Sequence, residues 1–88
     1  MANSVSARKR ARQAERHRQR NASLRSHVRT KIKKVLRAIE SGDKTEAQAA
    51  YLAAVPAIDR SVSQGIMHAN KAARHKSRLN QHLRGMSD

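Results

Sequence analysis

The sequence predicts an all-α protein: a three-helix up-down-up bundle with a long first helix projecting beyond the bundle. Three observations carry this. Apolar residues recur in three stripes at steps of three and four, with no strand-like alternation anywhere. Two short breaks, at Ser41-Gly42 and around Gly65, separate the stripes, and short connections make neighbouring helices antiparallel. The segment before the first stripe, RKRARQAERHRQR from Arg8 to Arg20, holds seven positive charges and no large apolar residue, so it cannot enter a core.

The first stripe is Leu24, Val28, Ile32, Val35, Leu36 and Ile39, one face of a helix with basic residues around the rest. Glycine is favoured just past a helix end, so Gly42 sets the stop. This first helix is expected over about 4–40, a rod of about 55 Å. The other two helices can cover only the half from about Leu24 onward. Arg8, Arg12, Arg16 and Arg20 stack at intervals of four, a spacing at which like charges destabilise a free helix. The N-terminal half is therefore expected to project into its ligand or to be disordered without it.

The second helix is expected over 43–64. Asp43 is a good N-cap, and Glu46 three residues on has the spacing of a capping box. Its stripe is Ala47, Tyr51, Ala54, Val55, Ile58 and Val62. Pro56 lies inside it and removes an N–H, so a kink is expected there. Gly65 ends it. The third helix is expected over about 67–84, with Ala69, Ala72, Ala73, Leu79 and Leu83 inward. Lys76 falls on the same face, its stem packing and its head free to reach water or phosphate. Residues 1–88 then form a single helical domain whose thin core implies marginal stability.

The formal net charge is +14, unevenly spread. Residues 1–37 contain thirteen bases and one acid, Glu15; residues 38–67 are net −2; residues 68–88 are net +4. This asymmetry describes a folded piece presenting basic elements to a polyanion. The absence of cysteine excludes disulfides, thiolate chemistry and Cys/His fingers. No apolar run approaches the ~20 residues that span a bilayer. The N-terminus lacks the apolar region of a secretory signal and the apolar face of a transit peptide. That missing face also argues against a membrane-disrupting peptide.

Tyr51, the only aromatic residue, sits on a core stripe, which leaves no aromatic platform for reading bases. The remaining mode is phosphate and shape recognition with counterion release. Arginine outnumbers lysine thirteen to seven, favouring bidentate phosphate contacts. The expected main contacts are Arg8, Lys9, Arg10, Arg12, Arg16, Arg18, Arg20 and Arg25, with hydrogen bonds from Asn21, Ser23 and Ser26. Arg29, Lys33, Lys34, Lys71, Arg74, His75, Lys76 and Arg78 form a second tier. His68, His75 and His82 recur every seven residues, which puts neighbours ~10 Å apart on a helix, too far to share a metal. They read as a polar stripe, either solvated or meeting phosphates. No metal or cofactor is expected, and no paired carboxylates, Ser/His/Asp set or Gly-rich loop supports catalysis. The basic stretch before Leu24 and Val28 is bZIP-like, but the apolar pattern ends at Gly42, short of the heptads that fold needs. A nucleoid-type DNA-binding protein remains the alternative.

The residues also carry a resemblance. Met1-Ala2-Asn3-Ser4 with Ser6-Ala7-Arg8-Lys9-Arg10, then Arg20-Asn21-Ala22-Ser23-Leu24-Arg25-Ser26, Val28-Arg29-Thr30 and Lys33-Lys34, closely resemble the bacterial small-subunit ribosomal protein S-twenty family. So do Gly42-Asp43-Lys44, Pro56 with Asp59-Arg60, Gly65-Ile66 with His68, and Asn70-Lys71-Ala72-Ala73-Arg74-His75-Lys76-Ser77. Ala69, Ser6 and the tail Gly85-Met86-Ser87-Asp88 depart from the pattern. The resemblance implies a three-helix bundle with an extended first helix. It implies a structural protein of the small ribosomal subunit, cytoplasmic, that binds small-subunit ribosomal RNA directly. Its contacts would join the 5′ domain to the long penultimate helix near the 3′ end. Few protein contacts, no membrane and no small-molecule substrate are expected.

Overall fold

A computed structural model of the protein describes residues 5–86. They form three helices: α1 (Val5–Ser41), α2 (Lys44–Ser63) and α3 (Ala69–Arg84). The expected start near Ser4 lies outside the described residues, as do Ser87 and Asp88. The molecule measures 66 × 22 × 15 Å, and α1 is its longest element.

Two connections reverse the chain. Gly42 takes φ +80° and its N–H bonds to the Ile39 carbonyl at 3.1 Å. This left-handed turn runs directly into Asp43, whose carboxylate accepts from the Glu46 N–H at 3.0 Å and caps α2. At the other end of α2, Gly65 takes φ +73°. The Gly65 N–H reaches the Val62 carbonyl at 3.1 Å and the Ile66 N–H reaches the Ser61 carbonyl at 2.8 Å. This paired closure satisfies the last carbonyls of α2 and needs a left-handed residue at Gly65. The helix itself continues through Pro56.

The core runs along the second half of α1. Val28 and Val35 of α1, Ala54 and Ile58 of α2, and Ala72 and Leu79 of α3 form one buried cluster. Ala38, Ala47 and Leu83 form another. Ile39 and Tyr51 pack against both. The second cluster joins the end of α1, the start of α2 and the end of α3, which fixes the up-down-up course. The Tyr51 hydroxyl donates to the Lys76 carbonyl at 3.3 Å, tying α2 to α3. The tyrosine is thus a packing residue.

Three details differ from the sequence expectation. Leu36 is 41% exposed and Ala38 is buried in its place. One residue on from Val35 is a rotation of about 100°, off the face that meets α2. Ala69 and Ala73 are exposed. α3 begins at Ala69 because His68 is its N-cap, with Nδ1 accepting from the Asn70 N–H at 3.1 Å. Ser61 is fully buried, and its hydroxyl donates back to the Ile58 carbonyl, so the group carries no unpaired donor.

The burial pattern ranks two substitutions. Ile58 is completely buried, whereas Ile32 is half-buried at the edge of the same cluster. Ile58→Asp is expected to cost more than about 3 kcal/mol and to leave the free domain unfolded. Ile32→Asp, which can turn its carboxylate toward water, is expected to cost less. Thermal melts followed by circular dichroism measure both.

Candidate nucleic-acid interface

The basic residues occupy two surfaces set up by one length mismatch. α2 has 20 residues and α3 has 16, against 37 in α1. The first buried residue of α1 is Val28. Upstream, Asn21 and Leu24 are half-buried, and before them the helix is exposed apart from half-buried Ala7. Arg8, Lys9, Arg10, Arg12, Arg16, Arg18 and Arg20 are all exposed, as are Ser23, Arg25 and Ser26, while Asn21 is half-buried. Gln13, Arg16, His17 and Arg20 surround a shallow hollow on this rod. Its single acid, Glu15, accepts from Arg18 at 3.2 Å and from the Gln19 amide at 3.3 Å. At such exposure the ion pair contributes little to stability. The rod is a helix held by its own backbone bonds, with cations on every side.

The second surface is a groove between α1 and α3. α2 packs against both of the other helices, while α1 and α3 touch each other only slightly. The space between them is lined by Arg25, Val28 and Arg29 of α1, by Ile66 and Met67 of the connection, and by Lys71 and His75 of α3. Lys71, Arg74, His75 and Arg78 also enclose a hollow along α3. Their spacing of three and four is one helical stripe. One main-contact candidate, Arg25, is thereby brought beside five second-tier candidates. His75 is half-buried in this cluster. Burial first, and then Lys71, Arg74 and Arg78, hold its pKa below the ordinary imidazole value, so the ring is neutral at pH 7.

The structure places other candidates elsewhere. The Lys76 ammonium lies 2.7 Å from the Asp59 carboxylate and links α3 to α2 instead of facing the groove. Lys33 is exposed on α1. Lys34 lies with Arg37, Ser41 and Glu46 around a separate hollow between α1 and α2. Thr30 donates to the Ser26 carbonyl at 2.9 Å, while the Ser26 side chain stays exposed. Sequence reasoning missed Arg37 and the apolar floor supplied by Ile66 and Met67. The only signal for Arg37 was its charge on the outer face of α1; the two floor residues gave none, because they belong to a turn. The histidines separate into different roles, His68 as a cap and His75 in the groove. Among the described residues no group of three or more His, Cys, Asp or Glu side chains is placed to hold a metal. No described helix is long and apolar enough to cross a membrane.

A rod and a groove of this kind suit a ligand with closely spaced phosphates. The family described as Ribosomal protein S20 matches residues 2–84. The chain belongs to this family. It is 62% identical over 87 residues to the small ribosomal subunit protein bS20 of Pseudomonas fluorescens strain SBW25, covering 99% of this chain and 95% of that one. It is 63% identical over 86 residues to bS20 of Thioalkalivibrio sulfidiphilus, covering 98% of this chain and all of that one. The bS20 of Alkalilimnicola ehrlichii is 62% identical over 86 residues, 98% of each chain. The match spans both the rod and the bundle.

Two measurements follow from the geometry. Residues 6–20 of this S20-family chain include no fully buried residue and stack like charges, so their amides are expected to exchange fast in the free protein. Phosphates would remove the repulsion, and protection should rise on binding RNA while residues 28–84 change much less. Strong protection in the free protein, or no gain on binding, would contradict this. The second concerns pH. A histidine whose folded pKa lies below its unfolded value binds its proton more readily in the unfolded chain. Its contribution is present above the ordinary value of 6.5 and is lost as pH falls through the lower folded value. The free bundle should therefore melt slightly lower at acid pH, and His75→Gln should remove that part of the slope in calorimetry.

Proposed function

We propose that this chain binds small-subunit ribosomal RNA directly, as a structural constituent of the small ribosomal subunit in the cytoplasm. The observation that carries the reading is the division of its charge into two separate surfaces, one along the N-terminal half of α1 and one between α1 and α3. The uncovered rod from Val5 offers Arg8, Lys9, Arg10, Arg12, Arg16, Arg18 and Arg20; the groove offers Arg25, Arg29, Lys71, Arg74, His75 and Arg78. Two surfaces on one rod can hold two RNA segments at a fixed separation. With the family's resemblance, this supports a bridge between the 5′ domain and the long penultimate helix near the 3′ end. The role is structural, with no reaction catalysed.

Recognition rests on phosphate position and A-form shape, because no aromatic side chain is free to stack on bases. Asn21, Ser23 and Ser26 lie where the rod meets the bundle and add neutral hydrogen bonds. Lys33 and Lys34 extend the basic face. Few contacts with other proteins are part of the proposal: among the described residues the exposed large apolar side chains are only Val5, Leu36 and Leu52.

Duplex DNA presents the same phosphates in a different shape. Competition of structured small-subunit RNA against duplex DNA at equal salt separates the two ligands, and preference for DNA would overturn the proposal. If about eight phosphates are neutralised, log K against log salt should fall with a slope of about −6 to −7. A slope of about −1 or −2 would mean that charge is not the dominant contribution.

A further inference from the structure

We propose that the groove between α1 and α3 is a proton-linked phosphate site, in which His75 takes up a proton from solvent as an RNA backbone phosphate enters. The inference rests on the RNA-binding reading above and adds to it a titrating ligand at one address.

Arg25 and Arg29 stand on one wall, and Lys71 and His75 on the other, with Val28, Ile66 and Met67 between. Arg74 and Arg78 extend the second wall along the same helix. Every other polar residue in these two hollows is a permanent cation. His75 alone changes charge between about pH 5 and about pH 8. Among the described residues it has no hydrogen bond and no ion pair, so its ring nitrogens are free for a ligand.

No carboxylate opposes these cations. The charged groups lining the same groove from α1 are Arg25 and Arg29, and the charges that act on His75 from α3 are Lys71, Arg74 and Arg78. The connection contributes only Ile66 and Met67. Asp59 of α2, the acid that α3 does meet, is occupied by Lys76. Burial of the ring, and then the charges of Lys71, Arg74 and Arg78, favour the neutral form and hold its pKa below the ordinary value. A phosphate diester between the walls reverses the local field. Its non-bridging oxygens accept from the imidazolium N–H, and the charged ring becomes the favoured form. One proton passes from solvent to the ring, and no bond in the RNA changes.

The sign follows from linkage. The complex holds one more proton than its separated parts between the low midpoint of the free ring and the higher midpoint of the bound ring. Within that window affinity rises as pH falls, by at most tenfold per pH unit for one proton. Above the bound midpoint the dependence disappears.

The experiment uses the full chain and a transcript carrying the 5′ domain and the penultimate helix. Affinity is measured from about pH 6 to about pH 8 at constant salt for wild type, His75→Gln and His75→Lys. The ring resonances of His75 are titrated by NMR, free and bound. The expected result is a higher His75 midpoint in the complex. His75→Gln should lose part of the pH dependence, and His75→Lys should bind at pH 8 at least as tightly as wild type. His17→Gln serves as a control substitution on the rod. An unchanged or lower His75 midpoint in the complex overturns the proton-linked site, as does full pH dependence in His75→Gln. Both can occur with tight binding, which leaves the RNA reading standing. Failure of the transcript to bind at any pH overturns that reading and the site with it.

Discussion

The antiparallel contact between the second half of α1 and α2 is the interaction on which the other features depend. Val35, Ala47, Ala54 and Ile58 have no exposed surface, and the alanines let the two backbones approach closely. α3 rests chiefly on α2 and only slightly on α1, so α2 acts as the spacer between the two basic helices. Its Asp59 holds Lys76, and its Tyr51 bonds to the Lys76 carbonyl. These links set how far the Lys71–Arg78 stripe stands from Arg25 and Arg29. The groove is therefore a consequence of packing on the opposite side of the molecule. The rod follows from the same contact, since α2 ends its cover of α1 near Val28.

Much of this was legible because helical periodicity is a strong signal when the faces differ sharply in polarity. The stripe from Val28 to Ile39 has mostly basic neighbours, the stripe from Ala47 to Val62 is set off less sharply because Ala49, Leu52 and Ala53 lie outside it, and Gly42, Asp43 and Gly65 punctuate both clearly. Apart from Leu36, whose place on the helix turns it off the face that meets α2, the misplaced residues were those whose type does not encode burial. Alanine is at home on either side of a helix, so Ala38 and Ala57 went inward and Ala69 and Ala73 outward without a compositional cue. Ser61 is buried because its hydroxyl bonds within its own helix, which polarity alone does not reveal. His68 caps α3 through a ring nitrogen where Ser, Asp or Asn would have been an obvious marker.

The candidate interface was legible to a different extent in its two parts. The rod could be read directly, because seven cations without large apolar neighbours have no other place than solvent or a polyanion. The groove is a tertiary feature. Arg25 and Arg29 are separated from Lys71 and His75 by more than forty positions in the chain, and only the turn at Gly65 and the spacer α2 bring them together. Lys76 illustrates the limit of counting charges: it belongs to the same basic run as His75 but points to α2 and is neutralised by Asp59. A helix position, not a residue type, decided its role.

The placement of acids explains why a chain of this charge still folds. Asp43 sits at a helix N-terminus, where negative charge is favourable, and Asp59 offsets a lysine next to the core. Glu15 is the one acid on the rod, and no acid lines the groove. Adding a carboxylate to either basic surface would relieve repulsion in the free protein, yet it would also compete with phosphate for the same guanidinium groups. Intramolecular neutralisation and ligand binding are thus alternatives at each cation. The observed arrangement uses the few acids at caps and helix junctions, and leaves the repulsion on the rod and in the groove to be removed by the polyanion. Under the proposed function, the order that α1 lacks support for on its own is supplied by the ligand, at the surfaces where the fold is least self-sufficient.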